Sequence, residues 1–270
     1  MFSFLPHMLR GILSTLIYAF NSVFLCLLLF FFAFLKLIIP IRPFVVIVDK
    51  ILMFIASLWI DINSLNTRLF SRIEWDVRGL EKLKKKDWYF VLSNHQSWVD
   101  ILSLQTVLNR KIPMLKFFLK KQLIWVPFLG FAWWALDFPF MKRYSKKKLL
   151  KKPHLKGKDV EITRKACAKF KRTPVAIMNF VEGTRFSPLK NKIQNIHLKR
   201  LLSPKAGGVI YVLETMGEYL HSIIDVTIVY PEKIPSFWDY ISGRVKKIII
   251  DFEIIPIEQV MPSNYIPGKL

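Results

Sequence analysis

Apolar and polar positions divide the chain into two stretches of very different texture. Residues 11–35 carry no charged side chain, a run of 25 between Arg10 and Lys36. As a helix rising roughly 1.5 Å per residue it would reach about 37 Å, more than the ~30 Å of a bilayer's hydrocarbon core. The run is too long for the apolar part of a cleaved signal peptide and lacks a small-residue cleavage site, so it predicts a retained membrane helix. A second apolar stretch, residues 44–60, follows Pro40-Ile41-Arg42-Pro43 and holds Asp49-Lys50. Charges in mid-segment are costly at the bilayer centre. This stretch therefore reads as a helix in the interface, or as a re-entrant hairpin with the first helix, rather than a simple second span.

Past about residue 72, short apolar runs alternate with segments of helical period. Strands are predicted at 88–92, 112–116, 138–141, 174–180, 223–230 and 245–254, and helices at 98–108, 159–171 and 207–216. Such alternation predicts an α/β fold, a largely parallel central sheet flanked by helices, behind an N-terminal membrane-anchoring helix or helical hairpin over residues 1–70. Residues 123–135, with Trp125, Trp133 and Trp134, suit a core helix, an interfacial belt or the lining of an acyl passage equally well. The lysine-rich segment 146–158 reads as an exposed basic loop.

Charge narrows the partners. Lys and Arg total 41 against 19 Asp and Glu, a net charge of +22, although 53% of residues are hydrophobic. That excess suits nucleic acid, acidic carrier proteins or anionic lipid headgroups. Nearly all of it follows residue 60, so the positive-inside tendency places the main domain in the cytoplasm. Cys26 and Cys167 make neither a disulfide framework nor a zinc cluster, and no metal is expected. Nucleotide-phosphate loops, nucleophile elbows and sequence-specific nucleic-acid motifs are absent from the sequence, and nucleic acid is not expected as a partner.

The chemistry centres on histidine. The pattern H-x-x-x-x-D occurs twice, at His95 with Asp100 and at His154 with Asp159. On one continuous helix, five residues turn through roughly 500°, leaving the two side chains about 140° apart. They meet only if the histidine lies outside the helix and leans back over it. His95 follows an apolar strand and Asn94 and precedes a helical segment, which supplies that geometry. His154 stands in the lysine-rich loop, where cations and solvent weaken any pairing. A second candidate is Glu182-Gly183-Thr184-Arg185, directly after a predicted strand. There glycine permits a tight turn, threonine offers a hydroxyl, and arginine offers a planar fork suited to phosphate. Glu182 is expected to hold Arg185 or to bond a polar headgroup.

Together, Asn94-His95-Gln96-Ser97-Trp98-Val99-Asp100 and Glu182-Gly183-Thr184-Arg185 resemble the first and third motifs of the glycerolipid and lysophospholipid acyltransferases. The resemblance is nearest to the 1-acylglycerol-3-phosphate acyltransferases and the lysocardiolipin acyltransferase-like branch. Phe138-Pro139-Phe140-Met141-Lys142-Arg143 resembles the second motif, with Lys142 replacing the usual acidic neighbour. Lys205-Ala206-Gly207-Gly208 and the strand ending at Pro231 resemble two later elements. The resemblance implies an acyltransferase catalytic domain over residues 71–270 that moves a fatty acyl group from a thioester to the sn-2 hydroxyl of lysophosphatidic acid, making phosphatidic acid. His95 is then the general base and Asp100 its orienter. Arg143, Glu182, Gly183, Thr184, Arg185 and Lys205 bind or shape the site for the acceptor phosphate. No cofactor is implied beyond the co-substrate, acyl-coenzyme A or an acyl carrier protein thioester. Anionic membrane lipids, and acyl carrier protein itself, are the expected partners. Two other readings stay open: an acyltransferase for a different lysophospholipid, and a membrane-tethered protein that binds anionic lipid without catalysis.

Overall fold

The computed structural model describes residues 2–141, 167, 170, 173–194 and 198–261. Arg143, His154, Asp159, the basic segment 146–158 and most of the predicted helix 159–171 lie outside the described residues.

The uncharged run forms helix α1 (His7–Ile38), and the second apolar stretch forms α2 (Arg42–Phe70), which starts on Pro43 within its first turn. The two lie antiparallel. Asn21 donates to the Asn63 side chain at 2.8 Å, and Asn66 donates to Ser14 at 3.0 Å. This is the helical-hairpin alternative, with α2 longer than the apolar stretch suggested. Asp49 falls in the second turn of α2 rather than at its middle, where Lys36 of α1 pairs with it at 2.5 Å. Each helix is long and apolar enough to cross a bilayer, consistent with membrane association. Both nevertheless also rest on the remainder of the protein: Tyr18 meets Phe237 at 5.9 Å between ring centroids, and Arg110 donates to Asp61 at 2.6 Å.

The main sheet has six strands, β1 (Glu74–Arg78), β2 (Tyr89–Ser93), β3 (Leu115–Phe117), β6 (Ala176–Phe180), β7 (Ser222–Val229) and β8 (Lys247–Pro256), in the order β1-β8-β7-β2-β6-β3. Every neighbouring pair is parallel except β7 with β8. Helix α3 (Val99–Leu108) joins β2 to β3. β2 is buried on both faces, with Phe90 and Val91 fully enclosed, as a central parallel strand must be. Its apolar run was therefore plain in the sequence. β1 was not predicted: Glu-Trp-Asp-Val-Arg is a half-exposed edge strand without an apolar run. Of the predicted strand 138–141, only β5 (Phe140–Met141) forms, and it pairs with β4 (Leu119–Lys120) in a separate two-stranded sheet.

The aromatic segment 123–135 is interrupted. Residues Lys121–Trp125 make a 3₁₀ turn and α4 (Leu129–Ala135) a short helix, while Val126, before Pro127, is extended. A residue preceding proline is pushed out of the helical region by the ring's δ-carbon. Ala132 and Ala135 of α4 join the same apolar cluster as Leu25 and Leu29 of α1.

Candidate active site

Strand register sets the site. Ser93 at the end of β2 lies level with Phe180 on β6 and with Val226 on β7. The segments that leave β2 and β6 therefore emerge side by side at the carboxyl edge, against the last residues of β7, which runs on to Val229, and this is the edge where ligands bind in open α/β sheets. Asn94 locks the first of them to the sheet, because its side chain donates to the Ile228 carbonyl and accepts from the Ile228 N–H, both at 2.8 Å.

His95 stands in the turn between β2 and α3, not in the helix. Its Nδ1 is 2.9 Å from Asp100 Oδ2, which is the fold-back geometry the five-residue spacing required. Asp100 is fully buried, and four donors surround its carboxylate. The N–H groups of Gln96 and Ser97 donate to Oδ2 at 2.6 and 2.9 Å, as does His95, and the Tyr230 hydroxyl donates to Oδ1 at 2.6 Å. A carboxylate acceptor makes Nδ1 the protonated nitrogen, so the lone pair sits on Nε2. The ring lies flat on Phe180, with centroids 3.8 Å apart and planes at 12°. Burial, and then the adjacent Asp100 charge, push the Tyr230 phenol well above its ordinary range, so it remains a proton donor.

Glu182 departs from expectation. It does not reach Arg185, nor is it open to a headgroup: it is buried, and both oxygens are taken by backbone. The N–H of His95 donates to one at 3.1 Å and the N–H of Leu202 to the other at 3.0 Å. Burial pushes its carboxyl above the usual carboxylate range, and those two N–H groups pull it partly back. Glu182 is thus a brace that ties the histidine turn to the segment leading into α6 (Ala206–Met216).

The remaining nominated residues gather on the same edge. Gly183 has φ +65, a conformation glycine adopts without strain, and a Cβ there would come within 3.1 Å of Lys205 Cδ. The bare glycine therefore lets the Lys205 side chain lie across the turn. Arg185 is exposed and stacks over Trp98 at 4.7 Å from the ring centroid. Its guanidinium has no ion-pair partner among the described residues. The next N–H, that of Phe186, donates to the His95 carbonyl at 2.7 Å, which fixes Arg185 beside the histidine turn. Thr184 accepts a 2.7 Å bond from Lys190, the first residue past Pro188-Leu189 in α5 (Pro188–Gln194), so its hydroxyl is already engaged. Sequence reasoning assigned no role to Phe180, Tyr230, Trp98 or Lys190. Trp98 lies between His95 and Asp100 in the chain, and Tyr230 closes the predicted strand 223–230, but only the fold shows what they touch.

An apolar-backed imidazole, an oriented carboxylate and two cations, Arg185 and Lys205, without an ion-pair partner among the described residues suit proton abstraction beside a bound anion. The chain is 25% identical over 200 residues to the mouse 1-acyl-sn-glycerol-3-phosphate acyltransferase epsilon, covering 66% of this chain and 52% of that one. It is 26% identical over 176 residues to the probable 1-acyl-sn-glycerol-3-phosphate acyltransferase 5 of Arabidopsis thaliana, covering 60% and 44%. The chain thus spans about half the length of these curated relatives. The crystal structure of the 1-acyl-sn-glycerophosphate (LPA) acyltransferase PlsC from Thermotoga maritima shares the fold, with a TM-score of 0.57 at 17% identity over 96% of this chain and 90% of that one. The Acyltransferase family model matches residues 74–231, more than half of the chain and all of the site described above, and the protein belongs to that family.

Proposed function

We propose that this protein transfers a fatty acyl group from a thioester, acyl-coenzyme A or acyl carrier protein, to the sn-2 hydroxyl of lysophosphatidic acid. The observation that carries the proposal is the His95–Asp100 contact of 2.9 Å, with Asp100 buried and saturated by protein donors. An alcohol is a poor nucleophile until its proton is removed. His95 Nε2 takes that proton as the acceptor oxygen attacks the thioester carbonyl, and Asp100 stabilises the imidazolium that forms. Collapse of the tetrahedral intermediate breaks the carbon–sulfur bond, and the proton returns from His95 to the departing sulfur. No covalent acyl-enzyme is required.

Arg185 and Lys205 receive the acceptor phosphate, with Arg143 as the third cation by resemblance. Holding that phosphate turns an encounter between two molecules into an oriented reaction, where roughly 7–11 kcal/mol of barrier is available. In this reading residues 1–70 seat the protein in the membrane, where lysolipid and product both reside. Residues 71–270 do the chemistry at its cytoplasmic face.

The test is a panel of lysophospholipid acceptors offered with acyl-coenzyme A and with acyl carrier protein donors, products read by mass. Product confined to phosphatidic acid supports the proposal, and a stronger signal from another lysophospholipid replaces the acceptor. Alongside it, Arg185→Ala should raise the apparent KM for the phosphorylated acceptor by more than that for the donor. The reverse pattern would move Arg185 to the donor side.

A further inference from the structure

The opposite end of the sheet holds a second site that the acyl-transfer chemistry does not use. There, the turns that lead into β2, β3 and β6 and the last turn of α3 meet the flank of α2 around a cavity of about 580 Å³. Cavities of this size are typical of ligand pockets. Its floor is apolar, with Ile60, Leu108 and Ile112 buried and Met53 and Met114 half-buried. Its rim is cationic: Lys50 from α2, Lys85 and Lys86 ahead of β2, and Arg110 after α3.

Charge accounting separates the cations that are committed from those that are not. Arg110 already donates to Asp61 at 2.6 and 2.8 Å. Among the described residues Asp49 is the one carboxylate in the lining, and it is held by Lys36 at 2.5 Å. Lys50, Lys85 and Lys86 are exposed and have no ion-pair partner among the described residues. Three uncommitted ammonium groups around one hollow repel one another until an anion enters. A small inorganic anion would leave the apolar floor wet, and an uncharged lipid would leave the rim unsatisfied. An amphiphile with an anionic head fits both. The mouth of the cavity includes Val46 and Phe54 of α2, more than half exposed, so its apolar lining continues onto the outer face of a helix long and apolar enough to enter a bilayer.

We propose that this cavity is a second, non-catalytic site for an anionic phospholipid of the membrane. Lys50, Lys85 and Lys86 receive the headgroup phosphate, and the first part of a chain lies over Met53 and Met114. Because these residues come from α2 and from the turns before β2 and β3, an occupied site clamps the hairpin to the amino edge of the sheet. The inference is independent of the acyl-transfer reading.

The experiment uses the full chain in non-ionic detergent with two phospholipids that carry a photoreactive diazirine in the acyl chain, phosphatidylglycerol and phosphatidylcholine, and maps the labelled peptides by mass. Expected is labelling of residues 50–60 and 108–115 by the anionic probe at about tenfold or more above the zwitterionic one. The triple variant K50S/K85S/K86S should lose that labelling by a similar factor. Met53→Trp, which fills the floor and spares the lysines, should lose it too. Unlabelled phosphatidylglycerol should compete, whereas the same concentration of inorganic phosphate should not. His95→Ala should label like the parent, which separates this site from the carboxyl edge. Equal labelling by phosphatidylcholine, labelling that survives the lysine substitutions, or displacement by inorganic phosphate alone would each overturn the proposal.

Discussion

Two histidine–aspartate pairs stand at opposite edges of one sheet, and they differ in the properties that general-base chemistry draws on. His221, just before β7, contacts Asp87, just before β2, by its Nδ1, and its N–H donates to the Trp88 carbonyl at 3.0 Å. Its side chain is 61% exposed and that of Asp87 15%, against 13% and 0% for His95 and Asp100. Water can replace either partner at the amino edge, where an exposed pair contributes roughly 0–1 kcal/mol and serves to lash two strand ends together. At the carboxyl edge the carboxylate has no access to water, its oxygens are filled by fixed donors, and the imidazole is pressed against Phe180. Contact alone does not distinguish the two pairs. Desolvation and orientation do.

The largest effect that could break this contrast comes from removing the two rings in turn. His95→Ala should lower the acylation rate by about 10²-fold or more, the usual cost of a lost general base. His221→Ala should leave it within about twofold, since only an exposed contact is lost. Comparable losses in both, measured in folded protein by product mass, would mean that the edges are not functionally distinct. Next in size is Tyr230→Phe, which strips the donor from a buried carboxylate oxygen. Leaving that group unsatisfied should cost about 1–3 kcal/mol of folding stability in denaturant melts. The turnover number should fall with little change in either KM, because the tyrosine touches Asp100 rather than substrate. The smallest effect sharpens the cationic side of the site. Trp98→Ala removes a stacking partner worth about 0.5–1 kcal/mol at an exposed position, so the acceptor KM should rise about two- to fivefold. Trp98→Phe should recover part of that loss, and a change confined to donor KM would show that Arg185 does not depend on this ring for acceptor binding.

The parts of the fold that were legible are those whose burial repeats along the chain. β2 and β6 are short apolar runs because both faces of a central parallel strand are covered, and α1 shows itself by an uninterrupted lack of charge. β1 escaped because an edge strand needs no apolar run, and the break in the aromatic segment hinged on one proline. The five-residue spacing of His95 and Asp100 was equally visible, and the geometric condition it imposed, a histidine outside the helix, is met. Glu182 was misread for the opposite reason. Its partners are backbone N–H groups of residues 95 and 202, and any residue but proline carries such a group, so no side-chain pattern announces them.

What the amino-acid sequence determined by itself was local: periodic burial, the turn that frees His95 from its helix, and the charge that segregates from the apolar N-terminus. Only the tertiary structure decided which of two histidine–aspartate contacts is dry, that Tyr230 and Glu182 brace the site, and that three lysines from α2 and the turn before β2 face one hollow. Local preferences follow from neighbours in the chain. Desolvation and the convergence of charges depend on residues far apart in the chain, 87 positions for His95 and Glu182 and 130 for Asp100 and Tyr230, which become neighbours only when strands and helices pack together.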